Sequence, residues 1–161
     1  MKMRWNRLAC IAWWIASAAA LHAVTVTAQP WGTDAAGDAV ELYTLKDVNA
    51  EVQLTTYGAR IVSIRVPDRT GQMSNVVLGS ETLKDYLGGR TPFMGATVSR
   101  FANRIAGGEF HLDGKTYEVP KNNAGNALHG GTIGFDRKVW SAKSIKDGVV
   151  MPTATWVFRV I

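Results

Sequence analysis

The sequence predicts an all-β fold, an antiparallel β-sandwich rather than a barrel, and three features predict it. Residues 51–56 (EVQLTT) alternate strictly, and residues 61–66 (IVSIRV) resume the alternation with β-branched side chains. Within residues 109–119 (EFHLDGKTYEV), Asp113-Gly114 supplies the two positive-φ residues of a tight hairpin turn between alternating runs. Nowhere does a sustained helical period appear, so strands packed in layers are the expected architecture.

Taken in order, the chain begins with a targeting pattern. Lys2, Arg4 and Arg7 form a basic region, residues 8–21 are apolar, and Val26 and Ala28 suit a cut after Ala28, with Ala23 the second choice. Residues 1–28 are therefore expected to be a secretory signal peptide, and the apolar run is shorter than the roughly 20 residues of a membrane-spanning helix. Residues 29–39 (QPWGTDAAGDA) have no period and read as a flexible lead-in to a single unit over residues 40–161. Residues 40–45 alternate as a strand, and Asp47-Val48-Asn49 turns the chain. After the 51–56 strand, Tyr57-Gly58 breaks the pattern before the strand at 61–66. Pro67-Asp68-Arg69-Thr70-Gly71 forms the next turn, in which proline fixes φ. Residues 75–78 predict a short strand, and residues 82–87 a turn or two of helix closed by Gly88-Gly89. Residues 93–98 (FMGATV) read as buried. Beyond the 109–119 hairpin, residues 139–145 suit a strand, Lys146-Asp147-Gly148 a turn, and the last thirteen residues are apolar around Pro152.

Charge excludes some functions. The whole chain carries 18 Lys+Arg against 13 Asp+Glu. Removing Lys2, Arg4 and Arg7 with the leader lowers the first number to 15, a net charge of +2 rather than +5. That is a poor footprint for nucleic acid, and no nucleic-acid partner is expected. The only cysteine, Cys10, also leaves with the leader. A thiol-free mature chain suits an oxidising compartment, periplasmic or secreted, and allows neither disulfides nor thiolate metal sites. No membrane contact is expected after cleavage.

The residues able to do chemistry gather between positions 99 and 140. His129 lies in Asn126-Ala127-Leu128-His129-Gly130-Gly131, where two glycines let backbone approach a ligand beside a ring that titrates near neutrality. A turn histidine capping a carbonyl is the equally weighted alternative. Arg100 and Arg104 flank Phe101-Ala102-Asn103, and Asn103-Arg104 sets an amide beside a fork of guanidinium donors, suited to neutral hydroxyls or a carboxylate. A surface ion pair is the plainer reading of any one arginine. Asn122, Asn123 and Asn126 add amides that turns also favour for local reasons. His111, between Phe110 and Leu112 but on the other face of the hairpin, reads as a solvated strand residue. There is no histidine pair at metal spacing, no paired carboxylate motif and no phosphate loop, so neither metal nor cofactor is expected. Trp31, Tyr117, Phe135 and Trp140 read as core.

Together, SRFANRIAGGEFHLDGKTYEVPKNN and NALHGGTIGFDRKVW resemble the N-terminal half of an aldose 1-epimerase (galactose mutarotase). The motifs are Arg-x-x-Asn-Arg-Ile, the Asp-Gly-Lys-x-Tyr hairpin, Asn-x-Leu-His-Gly-Gly and Gly-Phe-Asp with a nearby Trp, and the likeness spans residues 40 to 148. Ser99 departs from it, since the family usually has glycine before the arginine. The resemblance implies a mutarotase-like supersandwich, here apparently truncated, with an open sugar cleft. It implies interconversion of the α and β anomers of a free aldose such as glucose or galactose by general acid–base ring opening, with no cofactor. It assigns Asn103 and Arg104 to sugar hydroxyls and His129 to the first of two active-site histidines, a catalytic and substrate-binding position near the ring oxygen. The family's second histidine and its glutamate base lie further along a complete chain. Here no histidine follows His129, and Asp136 and Asp147 are the only carboxyl side chains after it. The alternative is therefore a non-catalytic sugar-binding remnant. A half-sandwich is also expected to leave apolar surface and strand edges uncovered.

Overall fold

The computed structural model describes residues 24–89, 92–98, 101–145, 148–151 and 156–159. Its frame is a five-stranded antiparallel meander of β1 (Thr25–Thr33), β2 (Ala39–Lys46), β3 (Glu51–Thr55), β4 (Arg60–Pro67) and β5 (Met73–Asn75), in that spatial order. The predicted strands at 40–45, 51–56 and 61–66 are β2, β3 and β4. Helix α1 (Leu83–Leu87) follows, then the short strand β6 (Arg104–Ile105) and the hairpin β7 (Glu109–Leu112) and β8 (Lys115–Glu118). Strand β9 (Ala127–Leu128) returns to pair with β6, and β10 (Lys143–Ile145), β11 (Gly148–Met151) and β12 (Trp156–Arg159) form a three-stranded sheet. Every pairing between these strands is antiparallel. The chain is all-β, with sandwich-type antiparallel sheets as predicted.

The segment read as a flexible lead-in is largely ordered, which corrects that expectation. Residues 29–33 belong to β1, which pairs with β2 from Thr25↔Lys46 to Thr33↔Ala39. Asp34 then caps a tight turn, its Oδ1 accepting the amides of Ala36 and Asp38. The strand carried no alternation because it is an edge strand, exposed along most of its length, with a register shift between Pro30 and Gly32. An edge tolerates a proline that cannot donate to a ladder. The strand expected at 75–78 starts earlier, as β5, and Val76 and Leu78 are exposed. Residues 93–98 are half-buried turns rather than core. Val139 makes only a single bridge, to Tyr57, and the strand expected from there begins at Lys143.

Two apolar clusters flank the meander. Tyr43 and Leu45 on one face of β2 meet Leu54, Ala59 and Trp140, with Val26, Val52 and Ile61 against them. Val40, on the other face, packs with Tyr57, Leu83 and Tyr86 of α1, and Trp31 leans on Tyr86. Helix α1 is only five residues long and closes at Gly88 as predicted, with a cap at its other end as well. Thr82 Oγ1 accepts the Asp85 amide, Asp85 Oδ2 accepts the Thr82 and Ser80 hydroxyls, and the Gly88 amide closes onto the Lys84 carbonyl. Among the described residues no helix is long and apolar enough to cross a membrane.

The Tyr43 phenol donates to Glu41 Oε2 at 2.9 Å. Burial, with the neighbouring carboxylate adding to it, pushes its pKa up to about 12. An unfolded tyrosine releases its proton near 10. The stability present below pH 10 should therefore fall as pH rises from about 10 toward 12, because only the unfolded chain gains from ionisation in that window. Urea melts at pH 9 and 11 check this. Tyr43→Phe should flatten the difference between them, and an equally steep loss in the variant would disprove the assignment.

Candidate functional site

The β6–β9 ladder builds the site. It pairs Arg104 with Leu128 and Ile105 with Ala127, so Asn103 and His129 stand opposite one another just beyond it. Two backbone-linked hydrogen bonds join them. The His129 amide donates to the Asn103 carbonyl at 2.9 Å, and the Asn103 amide donates to His129 Nδ1 at 3.1 Å. Both residues adopt left-handed backbone, φ 68 at Asn103 and φ 53 at His129. That conformation is uncommon outside glycine but best tolerated by Asn, Asp and His. Because Nδ1 accepts a backbone N–H, the neutral ring carries its proton on Nε2 and presents a donor there.

Arg104 is fixed beside them. Its Nη1 donates to Asn103 Oδ1 at 3.0 Å and its Nε to Asn123 Oδ1 at 2.8 Å. Two of five N–H donors are thus used within the loops, which leaves three for a ligand among the described residues. The side chain is exposed, so those donors face solvent.

The asparagine cluster serves the loop rather than the ligand. Asn122 Nδ2 donates to the carbonyls of Leu128 and Gly131, and its Oδ1 accepts the Leu128 amide at 2.7 Å. Asn126 Oδ1 accepts the Gly107 amide. These bonds tie residues 122–131 into one shape and hold His129 in it. The local reason that turns favour such amides describes the role of Asn122 and Asn126 here.

An open cavity of about 590 Å³ lies alongside, lined by Asn103, Arg104, Phe101, Phe110, Tyr117 and Ile133 among others. The volume falls in the range that small ligands occupy. Its wall is apolar: Phe110 and Tyr117 stack across the β7–β8 hairpin with ring centroids 5.2 Å apart at 11°. The predicted Asp113-Gly114 turn carries φ 51 and φ 70 and sets that hairpin. Phe101, Leu112, Tyr117 and Ile133 are exposed, so Tyr117 is not the core residue its type suggested, and this face is the uncovered apolar surface expected. Trp140 is core, with its indole N–H on the Phe135 carbonyl and Phe135 edge-on against it.

The remaining candidates stand apart. His111 is solvated as expected, with Nδ1 2.9 Å from Thr116 Oγ1 and Nε2 3.3 Å from Glu109 Oε1. Arg100 and Ser99 lie outside the described residues. Asp136 is buried, its Oδ2 3.7 Å from both Arg60 Nη2 and Arg137 Nε, and so is committed to arginines rather than offered to a ligand. Asp147 lies outside the described residues. No group of three metal-ligating side chains occurs among the described residues.

Neighbours of the imidazole and of the segments around it were not singled out in the sequence as part of a site. The Phe93 ring packs on His129 with centroids 4.6 Å apart. Behind it, Arg60 is buried with its guanidinium 5.7 Å from the Tyr57 ring and 5.2 Å from the Tyr86 ring. Burial pulls the Arg60 pKa down, and Asp136 opposes that shift. Arg60 opens β4, and no motif in the sequence marks it.

Comparisons with known proteins bear on the family and the fold. A sequence profile described as aldose 1-epimerase matches residues 41–159. The chain is 42% identical over 127 residues to a galactose mutarotase of Sus scrofa, covering 78% of this chain and 37% of that protein. It is 36% identical over 126 residues to a probable aldose 1-epimerase of Arthroderma benhamiae, covering 75% and 29%. The crystal structure of galactose 1-epimerase from Lactobacillus acidophilus superposes with a TM-score of 0.63 at 25% identity, over 78% of this chain and 36% of that one. An aldose epimerase homologue from C. elegans gives 0.59 at 26% identity, over 79% and 34%. The chain thus spans about a third of the length of these relatives. By its profile, its relatives and its strand arrangement, the chain belongs to the aldose 1-epimerase family.

Proposed function

We propose that the Asn103–Arg104–His129 constellation binds a free aldose and serves its anomerisation. The observation that carries this reading is the hydrogen bond from the Asn103 amide to His129 Nδ1, which ties the imidazole to the Asn103–Arg104 turn and leaves Nε2–H as the ring's donor. Anomerisation needs a proton taken from the anomeric hydroxyl and one delivered to the ring oxygen. The hemiacetal C–O bond then breaks, C1–C2 rotates, and the ring closes on the other face. In this chain His129 Nε2–H and the Arg104 donors would hold the ring oxygen and a neighbouring hydroxyl as negative charge develops there. The Phe110–Tyr117 wall would meet the C–H face of the pyranose. Among the described residues Asp136 is paired with Arg60 and Arg137 and does not line the cavity, where the carboxylate in the lining is Glu118. The pairing of Asp136 supports a second reading, in which this length of chain binds aldose without turning it over.

Polarimetry of freshly dissolved α-D-glucose or α-D-galactose separates the two. Rotation decaying faster than in buffer supports catalysis. Decay at the buffer rate with saturable quenching of tryptophan fluorescence supports binding alone. Neither effect rejects the sugar reading.

We also propose export to the periplasm or the exterior, with the leader ending at Ala23. A cut after Ala28 would remove Thr25 to Ala28, which ladder with Lys46 to Tyr43, and with them Val26, which packs on the core. A cut after Ala23 leaves β1 whole. Mass spectrometry of the exported chain should find Val24 as the first residue, and a start at Gln29 or Met1 would overturn this.

A further inference from the structure

We propose that Arg60 is the positioning residue for the His129 imidazole, an inference that takes from the functional reading only that His129 is the working group. Arg60 Nη1 donates to the Met94 carbonyl at 3.1 Å, and Nη2 donates to the Asp136 carbonyl at 3.0 Å. One buried cation therefore holds two segments that lie 34 and 76 residues away in sequence. Each of those segments touches His129. The first carries Phe93, itself at φ 61 in a turn closed by the Ala96 amide on the Phe93 carbonyl, and its ring lies against the imidazole. The second carries Gly134, where a Cβ would sit 2.6 Å from the His129 carbonyl oxygen and 2.5 Å from Asp136 Oδ1. Only a glycine lets the 134–137 turn close so tightly against the left-handed His129 backbone.

The same strand end is stitched to both segments by backbone. The Ile61 amide donates to the Gly95 carbonyl, the Thr97 amide to the Gly58 carbonyl, and the Gly58 amide to the Lys138 carbonyl. Backbone bonds fix where the segments run, while the guanidinium fixes how far each stands from the other. Arginine suits this because its planar fork can serve two carbonyls at once, and a lysine ammonium cannot keep that spacing. The Tyr57 and Tyr86 rings both lie within cation–π distance of the fork, at 5.7 and 5.2 Å. The ring contact and the backbone buttress of His129 are thus set by a residue that touches neither ring nor ligand.

The test uses the full chain with 15N-labelled histidine. In the parent, the His129 ring nitrogens should show the single Nε2–H tautomer. Arg60→Lys should give mixed or broadened tautomer signals, and any aldose Kd should rise about tenfold or more. Val62→Ala, a core variant that also lowers thermal stability, should leave the His129 signals as in the parent. A folded Arg60→Lys with the parental tautomer signature would overturn the proposal, as would Val62→Ala showing the same mixing. If Arg60→Lys does not fold, Phe93→Leu decides: it removes the ring contact and keeps the core, and an unchanged signature there overturns the proposal. The tautomer measurement needs no sugar, so a chain that binds no aldose would fail the functional reading while still testing Arg60.

Discussion

His129→Asn should weaken aldose binding by about ten- to a hundredfold while leaving the fold intact. Asparagine tolerates the left-handed backbone at this position, and its amide oxygen can still accept the Asn103 N–H. What it lacks is the reach of Nε2. Losing one hydrogen bond and leaving a sugar oxygen unsatisfied amounts to about 1–3 kcal/mol, which converts to that range of affinity. Titration of tryptophan fluorescence with galactose reads the change, and far-UV circular dichroism confirms the strands. A variant that binds within twofold of the parent would remove His129 from the site. If the parent accelerates mutarotation, the same substitution should return it to the buffer rate, since a positioned general acid–base group supplies about 10²–10⁴-fold.

Leu54→Ala should cost about 2–5 kcal/mol of stability, the usual range for truncating a fully buried leucine. Leu54 is 0% exposed, at the centre of the cluster formed by Tyr43, Leu45, Ala59 and Trp140. Against a total stability of about 5–15 kcal/mol, that loss is a large share and should leave the chain largely unfolded at elevated temperature. The urea midpoint should drop with the slope unchanged. Leu112→Ala is the informative contrast. Leu112 is 55% exposed on the hairpin, and its truncation should shift stability by no more than about 0.5 kcal/mol. Equal losses from the two substitutions would mean that β3 does not sit in the core.

Much of the fold was legible because the relevant signals are local. The alternation of β3 and β4, the short helix closed by Gly88, and the Asp113-Gly114 turn each depend on residues a few positions apart. The site was legible for another reason: Asn103, Arg104 and His129 stand in long motifs that mark the family. Other parts were not legible, and each failure has a physical cause. Strand β1 takes its hydrogen bonds from β2 and buries little of its own surface, so its composition resembles a loop. Tyr117 has the composition of a core residue, yet it lines an open cavity. Residues 93–98 are apolar because they cover the imidazole and the 58–61 backbone, which turns can do without forming a strand.

The sequence by itself determined the strands β2, β3 and β4, the hairpin beside the cavity, the family, and the three polar residues of the candidate site. Each of these follows from neighbours along the chain or from motifs written into it. Only the tertiary structure decided that Nδ1 of His129 accepts a backbone proton, that Asp136 is committed to arginines, and that Arg60 is a buried brace. Those properties come from partners up to 76 residues away. A side chain's protonation, burial and pairing are set by what the fold brings against it, and no periodicity along the chain encodes that.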